Sequence, residues 1–249
     1  GEKGPQASRA VQSQVQCPGI QKVILEVFPY EMPLVCPLTS QAVEQEQARK
    51  DQNVLTRKGF YFVLRLPEYD FATPLLGEVA TLPGVHTESL EEVALQMQMV
   101  AGYVNGRELN LSSLKVDTSG NWLRNEVGLD AHQLFPSVRC GLESALFSAA
   151  SHIRGISLSK LLLSQNSSWT SLSNTPIPDR IEVNALVMSS TPDVEAMVHE
   201  AGMLIEKGYT TLKIKLARGI SPEDDARAVL TLRASIDKSV TLRGDANRR

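Results

Sequence analysis

Two short stretches near the end of the chain decide the fold: TLKIKL (residues 211–216) and VTLRGDAN (residues 240–247). Apolar side chains alternate with charged or polar ones in both, which is typical of strands with two unlike faces. Between them, SPED (residues 221–224) supplies the Ser and Pro that commonly open a helix. A strand, a helix and a strand in this order predict two parallel strands. The charged side chains that would share one face are those of Lys213, Lys215, Arg243 and Asp245.

The residues before these two stretches also predict a strand followed by a helix. Residues 182–188 predict another strand, and TPD at residues 191–193 predicts the start of a helix that ends near Lys207. Strands that alternate with helices across short loops are typical of a parallel sheet or barrel. Function in such folds lies at the C-terminal ends of the strands, where Lys215 and Asp245 fall.

The earlier part of the chain has a different order, with strands first and helices afterwards. The predicted strands are residues 21–28, 59–66 and 77–84, and the predicted helices run from Ser89 towards Gly102 and over residues 137–154. Ser89 and Glu92 have the spacing of a capping box. Residues 56–59 are predicted as a turn before the second strand, which would form a long-looped hairpin with the first. This order predicts an α+β module.

Composition excludes several classes of function. The 249 residues carry a net charge of -3, and their 25 Lys and Arg residues form no basic tract. Nucleic acid and membrane surfaces are therefore not expected partners. No apolar run approaches the roughly 18 residues of a membrane span. The three cysteines (Cys17, Cys36 and Cys140) lack metal-site spacing, which indicates inert thiols in a reducing compartment.

The polar face of the two late strands has a specific chemistry. A lysine beside a second cation is a candidate general base, and a carboxylate at the next strand end suits Mg²⁺, which prefers oxygen ligands. The metal would stabilise an enediolate formed when the lysine removes a proton next to a carboxylate. An isolated Lys-x-Lys pair is more often a solvated face of an edge strand, so the pair needs support from elsewhere in the chain.

Five stretches in order give that support, because together they resemble the enolase superfamily. The resemblance is to the branch that contains muconate cycloisomerases, dipeptide epimerases and o-succinylbenzoate synthases, and it is closest to the last of these. The matching stretches are LTRKGFY (55–61), GEVATLPG (77–84), FPSVRCGLESA (135–145), VNAL (183–186), and the Lys213-x-Lys215 pair with RGDANR (243–248).

The resemblance implies an α+β capping domain followed by the first part of an α/β (TIM-type) barrel. The expected division is a flexible lead-in at residues 1–16, a capping domain at 17–158, a linker loop at 159–180 and three βα units of the barrel at 181–249. Three barrel strands cannot close by themselves. We therefore expect this chain to be covalently linked to further domains, and the resemblance places it in the plastid stroma.

The resemblance also implies a reaction, the dehydration of 2-succinyl-6-hydroxy-2,4-cyclohexadiene-1-carboxylate to o-succinylbenzoate in phylloquinone or menaquinone biosynthesis. Lys215 would be the general base and then the acid that helps water leave. Lys213 would hold the carboxylate of this small-molecule substrate or tune Lys215. Asp245 would be the first Mg²⁺ ligand and Asn247 would support that strand end. Arg243 and Arg57 would bind substrate, the latter at the end of a loop over residues 38–57 that closes on the succinyl arm.

Some parts of the implied site are missing from the chain. The family pattern requires a Glu and an Asp from the fourth and fifth barrel strands and a lysine from the sixth. We therefore expect the 249 residues alone to be inactive. Gly244 also stands where the family has a bulkier apolar residue, which predicts thinner packing there.

Two other functions remain open. A racemase, dipeptide epimerase or cycloisomerase of the same branch would use the same Lys-x-Lys and Asp-x-Asn residues. A non-catalytic product that acts as a binding or regulatory piece is the other alternative.

Overall fold

The computed structural model describes residues 19–34, 56–82, 85–164, 180–188, 193–217 and 221–246. The chain divides into two compact units, residues 1–177 and 178–249. The division falls inside the predicted linker, whose first residues are helical because Leu161 is buried in the core of the first unit. The predictions for Asn247, for Cys17 and Cys36, and for most of the loop at 38–57 lie outside the described residues.

The described strands and helices follow the predicted order. The first unit contains strands β1 (Gln21–Lys22), β2 (Ile24–Pro33), β3 (Thr56–Arg65), β4 (Leu75–Val79) and β5 (Glu108–Leu109), and helices α1 (Leu90–Val104), α2 (Ser119–Trp122), α3 (Pro136–Ile153) and α4 (Leu158–Ser164). The second contains β6 (Ala185–Val187), α5 (Val194–Glu206), β7 (Thr211–Lys215), α6 (Pro222–Ser235) and β8 (Thr241–Asp245). None of these helices combines the length and apolar character needed to cross a membrane.

The first unit has an antiparallel sheet with the strand order β2-β3-β4. The predicted hairpin is confirmed, since β2 pairs with β3 from Ile24 opposite Arg65 to Pro33 opposite Thr56. The predicted turn at residues 56–59 is wrong for the same reason: the pairing extends to Thr56, so these residues belong to the strand.

Strand β2 lies at an edge of this sheet, and a side chain covers part of that edge. The backbone N–H of Leu25 donates to Oδ1 of Asn105 at 2.6 Å. Asn105 follows α1 directly as its C-cap residue. The end of α1 is therefore tied to the edge strand by one hydrogen bond.

The core of the first unit forms between the sheet and helices α1 and α3. Its buried side chains include Phe62, Leu64, Val79, Met97, Leu142 and Leu146. Strand β4 and helix α3 approach each other closely at Gly77 and Gly141. A Cβ placed on Gly77 would lie 1.7 Å from the backbone oxygen of Gly141, so only glycine fits at this contact.

The two long helices of this unit begin next to each other in space. The capping box of α1 is confirmed, with Ser89 and Glu92 bonded reciprocally. The residue before helix α3 makes no side-chain hydrogen bond that caps the helix. Glu88 caps it instead, because its carboxylate accepts from the hydroxyl of Ser137 at 2.6 Å and from the backbone N–H of Ser137 at 3.4 Å. Burial alone would raise the pKa of Glu88, but these hydrogen bonds outweigh it and hold the pKa below its usual value.

The second unit has a parallel sheet with the order β6-β7-β8. The predicted alternation in β7 is confirmed, since Leu212 and Ile214 are buried while Lys213 and Lys215 lie on the other face. The apolar face packs in one cluster with α5 and α6, through Met197, Ala201, Ala228 and Leu232. Strand β6 is shorter than predicted. The helices thus cover one face, and the charged face is the other.

Candidate functional site

The charged face of the parallel sheet gathers two lysines on one carboxylate. Nζ of Lys213 and Nζ of Lys215 each lie 2.7 Å from Oδ2 of Asp245. The side chains of Lys213, Lys215 and Asp245 are 35%, 21% and 28% exposed, so the group is partly desolvated but open to small molecules. With two ammonium groups to one carboxylate, these three residues carry an excess positive charge that attracts anions.

The register of the strands creates this geometry. Lys215 lies opposite Asp245, and Lys213 lies opposite Arg243, in the parallel pairing of β7 with β8. Because side chains alternate along a strand, a Lys-x-Lys spacing puts both ammonium groups on one face. The predicted grouping of Lys213, Lys215 and Asp245 is therefore what the structure shows at the C-terminal ends of β7 and β8.

Arg243 lies on the same face but is held by another residue. Its Nη1 donates to Oδ1 of Asn184 at 3.3 Å, from the segment that leads into β6. Asn184 belongs to the VNAL stretch that supported the family resemblance, but sequence reasoning gave it no role. A polar residue directly before a short apolar strand is the signal that could have pointed to it.

The chain just after Lys215 is shaped by contacts with β8 and α6. A Cβ placed on Gly244 would lie 2.8 Å from Cδ1 of Leu216, so the expected gap beside Gly244 is filled by that side chain. The next residue, Ala217, has a φ of 57°, and its N–H donates to Oδ2 of Asp225 at 2.7 Å. Asp225 was not among the predicted site residues.

The described residues do not by themselves form a magnesium site. Mg²⁺ requires near-octahedral coordination by several oxygen ligands. Among the residues that the structure describes, no three His, Cys, Asp or Glu side chains come together as metal ligands would. Oδ2 of Asp245, the predicted ligand, also lies between the two lysine ammonium groups. One carboxylate in this setting does not fit the ion.

Arg57, the other predicted substrate-binding residue, lies in β3 of the first unit. Its guanidinium donates from Nη1 to the backbone oxygen of Thr81 at 2.7 Å and from Nη2 to that of Ala80 at 2.8 Å. These bonds tie β3 to the segment after β4. A role of Arg57 in substrate binding stays a prediction.

Tyr30, Tyr61 and Glu78 form a cluster near Arg57. Tyr30 stacks on Tyr61 with ring centroids 4.6 Å apart, and its hydroxyl donates to Glu78. Burial, together with the hydrogen bond to Glu78, raises the pKa of Tyr30 to about 12. This phenol therefore stays protonated at neutral pH.

Comparison with known sequences gives one relevant relative and no family match. No protein-family model matches the chain. The chain is 30% identical over 192 residues to Protein PHYLLO, chloroplastic, from Arabidopsis thaliana. The alignment covers 77% of this chain and 11% of PHYLLO, so the chain spans only a small part of that protein's length.

Several solved structures have the same fold. Muconate cycloisomerase from Pseudomonas fluorescens matches with a TM-score of 0.60 and 17% identity, over 92% of this chain and 52% of that one. N-succinyl Arg/Lys racemase from Bacillus cereus matches with a TM-score of 0.59 and 17% identity, over 91% and 52%. A mandelate racemase/muconate lactonizing enzyme from Roseovarius nubinhibens, complexed with magnesium, matches with 0.58 and 13%, over 91% and 52%.

These structures show the fold of the chain. The chain has the fold of enolase-superfamily proteins, an α+β domain followed by part of a barrel, and spans about half their length. The likeness in sequence to PHYLLO and the likeness in fold to these structures support an enolase-superfamily assignment.

Proposed function

We propose that this chain supplies the lysine pair of an o-succinylbenzoate synthase, which dehydrates 2-succinyl-6-hydroxy-2,4-cyclohexadiene-1-carboxylate to o-succinylbenzoate. The observation that carries the proposal is the meeting of Lys213 and Lys215 at Asp245 on the charged face of the parallel sheet. The five matching stretches, which resemble o-succinylbenzoate synthases most closely, support this synthase over other members of the superfamily. The name of PHYLLO also supports a plastid location.

Lys215 is the proposed base because it is the less exposed of the two lysines and lies at the end of β7. In its neutral form it removes the proton from the ring carbon that bears the carboxylate. The electron pair of that C–H bond moves into the carboxylate and gives an enediolate. The enediolate then expels the neighbouring hydroxyl group, which takes the proton back from Lys215 and leaves as water. The ring becomes aromatic and the lysine is neutral again.

The remaining charges of the face bind the substrate in this proposal. The substrate carries one carboxylate on its ring and a second on its succinyl arm. Lys213 binds the ring carboxylate, where negative charge increases as the enediolate forms. Arg243 lies opposite Lys213 in the pairing of β7 with β8. It provides a further cation for the second carboxylate.

Magnesium is the proposed cofactor, but only where further oxygen ligands join Asp245. The described residues offer this ion one carboxylate that two lysines already contact. We therefore expect weak Mg²⁺ binding and no synthase activity from the 249 residues alone. The likeness in fold to a structure complexed with magnesium supports the choice of metal.

The test is formation of o-succinylbenzoate in the presence of Mg²⁺, by this chain and by the protein at its full natural length. We expect activity at full length only. Lys215→Ala should lower kcat by about 10²- to 10⁴-fold, the usual contribution of general acid–base catalysis. Lys238→Ala, which removes an exposed lysine from the loop before β8, should leave kcat unchanged. Equal losses in both variants would overturn the role of Lys215.

A racemase or epimerase is the second candidate, favoured by the likeness in fold to N-succinyl Arg/Lys racemase. Such an enzyme would exchange the proton next to a carboxylate with solvent but would not release water. Deuterium uptake from heavy water into N-succinyl amino acids or dipeptides, without dehydration of the synthase substrate, would favour it. If neither deuterium uptake nor dehydration is observed, a non-catalytic binding role is favoured.

A further inference from the structure

The turn that follows β7 has an unfavourable backbone. Ala217 is the one residue other than glycine with a positive φ, 57°, in the part of the chain that the structure describes. A side chain with a Cβ adopts this left-handed conformation at a cost, which persists only where surrounding contacts fix it. Ala217 comes two residues after Lys215, so the contacts that fix it also act on the end of β7.

Three contacts fix this turn. The N–H of Leu216 donates to the backbone oxygen of Asp245 at 2.9 Å, which extends the pairing of β7 with β8 by one residue. The side chain of Leu216 fills the space beside Gly244. The N–H of Ala217 donates to Oδ2 of Asp225 at 2.7 Å, and Asp225 comes from the first turn of α6.

The carboxylate of Asp225 is placed for this one bond. Its Oδ1 is buried and has no hydrogen-bond partner among the described residues, although a buried charged oxygen without a partner is costly. Its neighbours in the first turn differ: the carboxylate of Asp224 accepts from Oγ of Ser221 and from Arg227, and Glu223 is exposed. Among the described residues this carboxylate accepts only from the backbone N–H of Ala217 while its other oxygen is buried, which indicates that the bond to Ala217 matters.

We propose that Asp225 is a positioning residue that, by holding Ala217 in its left-handed conformation, directs the end of β7 so that Lys215 meets Asp245. The catalytic consequence rests on the proposed function, in which Lys215 is the base. Without Asp225, Ala217 relaxes to an ordinary φ and the bond between Leu216 and Asp245 weakens. Lys215 then loses its 2.7 Å placement. Misplacement of a reacting group by about 1 Å can lower a rate about 10²-fold.

The first experiment compares Asp225→Ala with Glu223→Ala, which removes the same charge from the same helical turn at an exposed position. At full natural length, Asp225→Ala should lower kcat by about 10²-fold with little change in KM, because Lys213 and Arg243 still bind substrate. Asp225→Asn, which keeps an acceptor, should recover part of the loss. Glu223→Ala should stay within about twofold of the wild type. Equal losses for the two alanine variants would overturn the proposal.

The second experiment adds Ala217→Gly, because glycine adopts a positive φ without cost. In the Asp225→Ala background, this change should restore at least about fivefold of the lost kcat. If kcat in the Asp225→Ala background is equally low with glycine and with alanine at position 217, Asp225 does not act through this turn.

A measurement on the 249-residue chain separates this inference from the proposed function. The ¹⁵Nζ NMR signal of Lys215, assigned with Lys215→Arg, reports its hydrogen bond to Asp245 without any turnover. It should shift in Asp225→Ala and return towards its original position when Ala217→Gly is added. An unshifted signal overturns the positioning role. A shifted signal in this chain, together with no synthase activity in the wild-type protein at its full natural length, overturns the proposed function alone.

Discussion

The two three-stranded sheets of the described chain use their faces in opposite ways. The antiparallel sheet of the first unit has two strands of ten residues and one of five, and its inner face approaches α3 so closely that two backbones touch at Gly77 and Gly141. The parallel sheet of the second unit has strands of three to five residues, and its open face carries two lysines on one carboxylate. The first sheet packs its inner face against helices, whereas the second has helices on one face and grouped charged side chains on the other.

This difference predicts where substitutions will be tolerated. Contacts between backbones cannot adjust, because neither side has a side chain that can rotate away. Contacts made by flexible side chains can adjust at low cost. Small changes in the first unit should therefore cost stability, and comparable changes in the second should be absorbed.

The largest effect is expected at the contact between β4 and α3. Gly77→Ala places a Cβ 1.7 Å from the backbone oxygen of Gly141, so α3 must move away from the sheet. The free energy of unfolding should fall by about 3 kcal/mol in urea titration, at the upper end for overpacking. Gly102→Ala is the matched control, because nothing lies within 4 Å of its added Cβ and alanine favours a helix. A tolerated Gly77→Ala would contradict the contrast between the sheets.

The next effect concerns Arg57. Arg57→Lys cannot reproduce the two bonds to Thr81 and Ala80, and it should lower the free energy of unfolding by about 1.5–3 kcal/mol. Thermal unfolding of the chain measures this loss. If stability is unchanged and KM of the full-length protein rises instead, Arg57 binds substrate as the sequence predicts, and the first unit is not devoted to packing alone.

A pH dependence is expected at Glu88, whose pKa is held below its usual value. Its hydrogen bonds to Ser137 should contribute about 1 kcal/mol, the typical value of a helix cap. A lowered pKa means that this contribution is complete above the unfolded pKa of about 4.3 and is lost as the pH falls through the folded pKa. Glu88→Gln should therefore differ from the wild type in urea titration at pH 7 and much less at pH 3.

Glu91→Gln provides the control for this effect, since Glu91 is an exposed carboxylate in the first turn of α1. It should show no comparable dependence on pH. A stability difference for Glu88→Gln that stays constant from pH 7 to pH 3 would exclude the carboxylate as the cause.

The smallest effect is expected at Gly244. Gly244→Ala places a Cβ 2.8 Å from Cδ1 of Leu216, and that methyl group can rotate away at a cost of about 0.5–1.5 kcal/mol. Urea titration of Gly244→Ala and of Gly77→Ala under the same conditions compares the two losses in the free energy of unfolding. A loss at Gly244 as large as that at Gly77 would remove the distinction between the two units.

The sequence predicts the parts of the fold that depend on local pattern. Alternation placed Lys213 and Lys215 on one face of β7, and capping residues placed the starts of α1 and α6. The composition of residues 56–59 predicts a turn, while the pairing partner that makes them a strand lies more than twenty positions earlier in the chain.

Contacts between distant segments explain what local pattern could not predict in the candidate site. The bond from Ala217 to Asp225 depends on a backbone angle, and the bond from Arg243 to Asn184 spans 59 positions. The register brings Lys215 and Asp245 together, and this register could be anticipated because both residues end their strands. Residues that are brought together only by the packing of separate strands and helices leave no such signal in the local sequence pattern.

The bond between Leu25 and Asn105 has a consequence for self-association. Edge strands expose N–H groups that can template pairing with a second molecule. On β2 one of these donors is already engaged by a side chain that arrives with the end of α1. Helix formation and protection of this edge are therefore linked, and loosening the end of α1 would expose a donor on β2 to other molecules. The C-terminus of this helix thus keeps one N–H of β2 from pairing with another molecule.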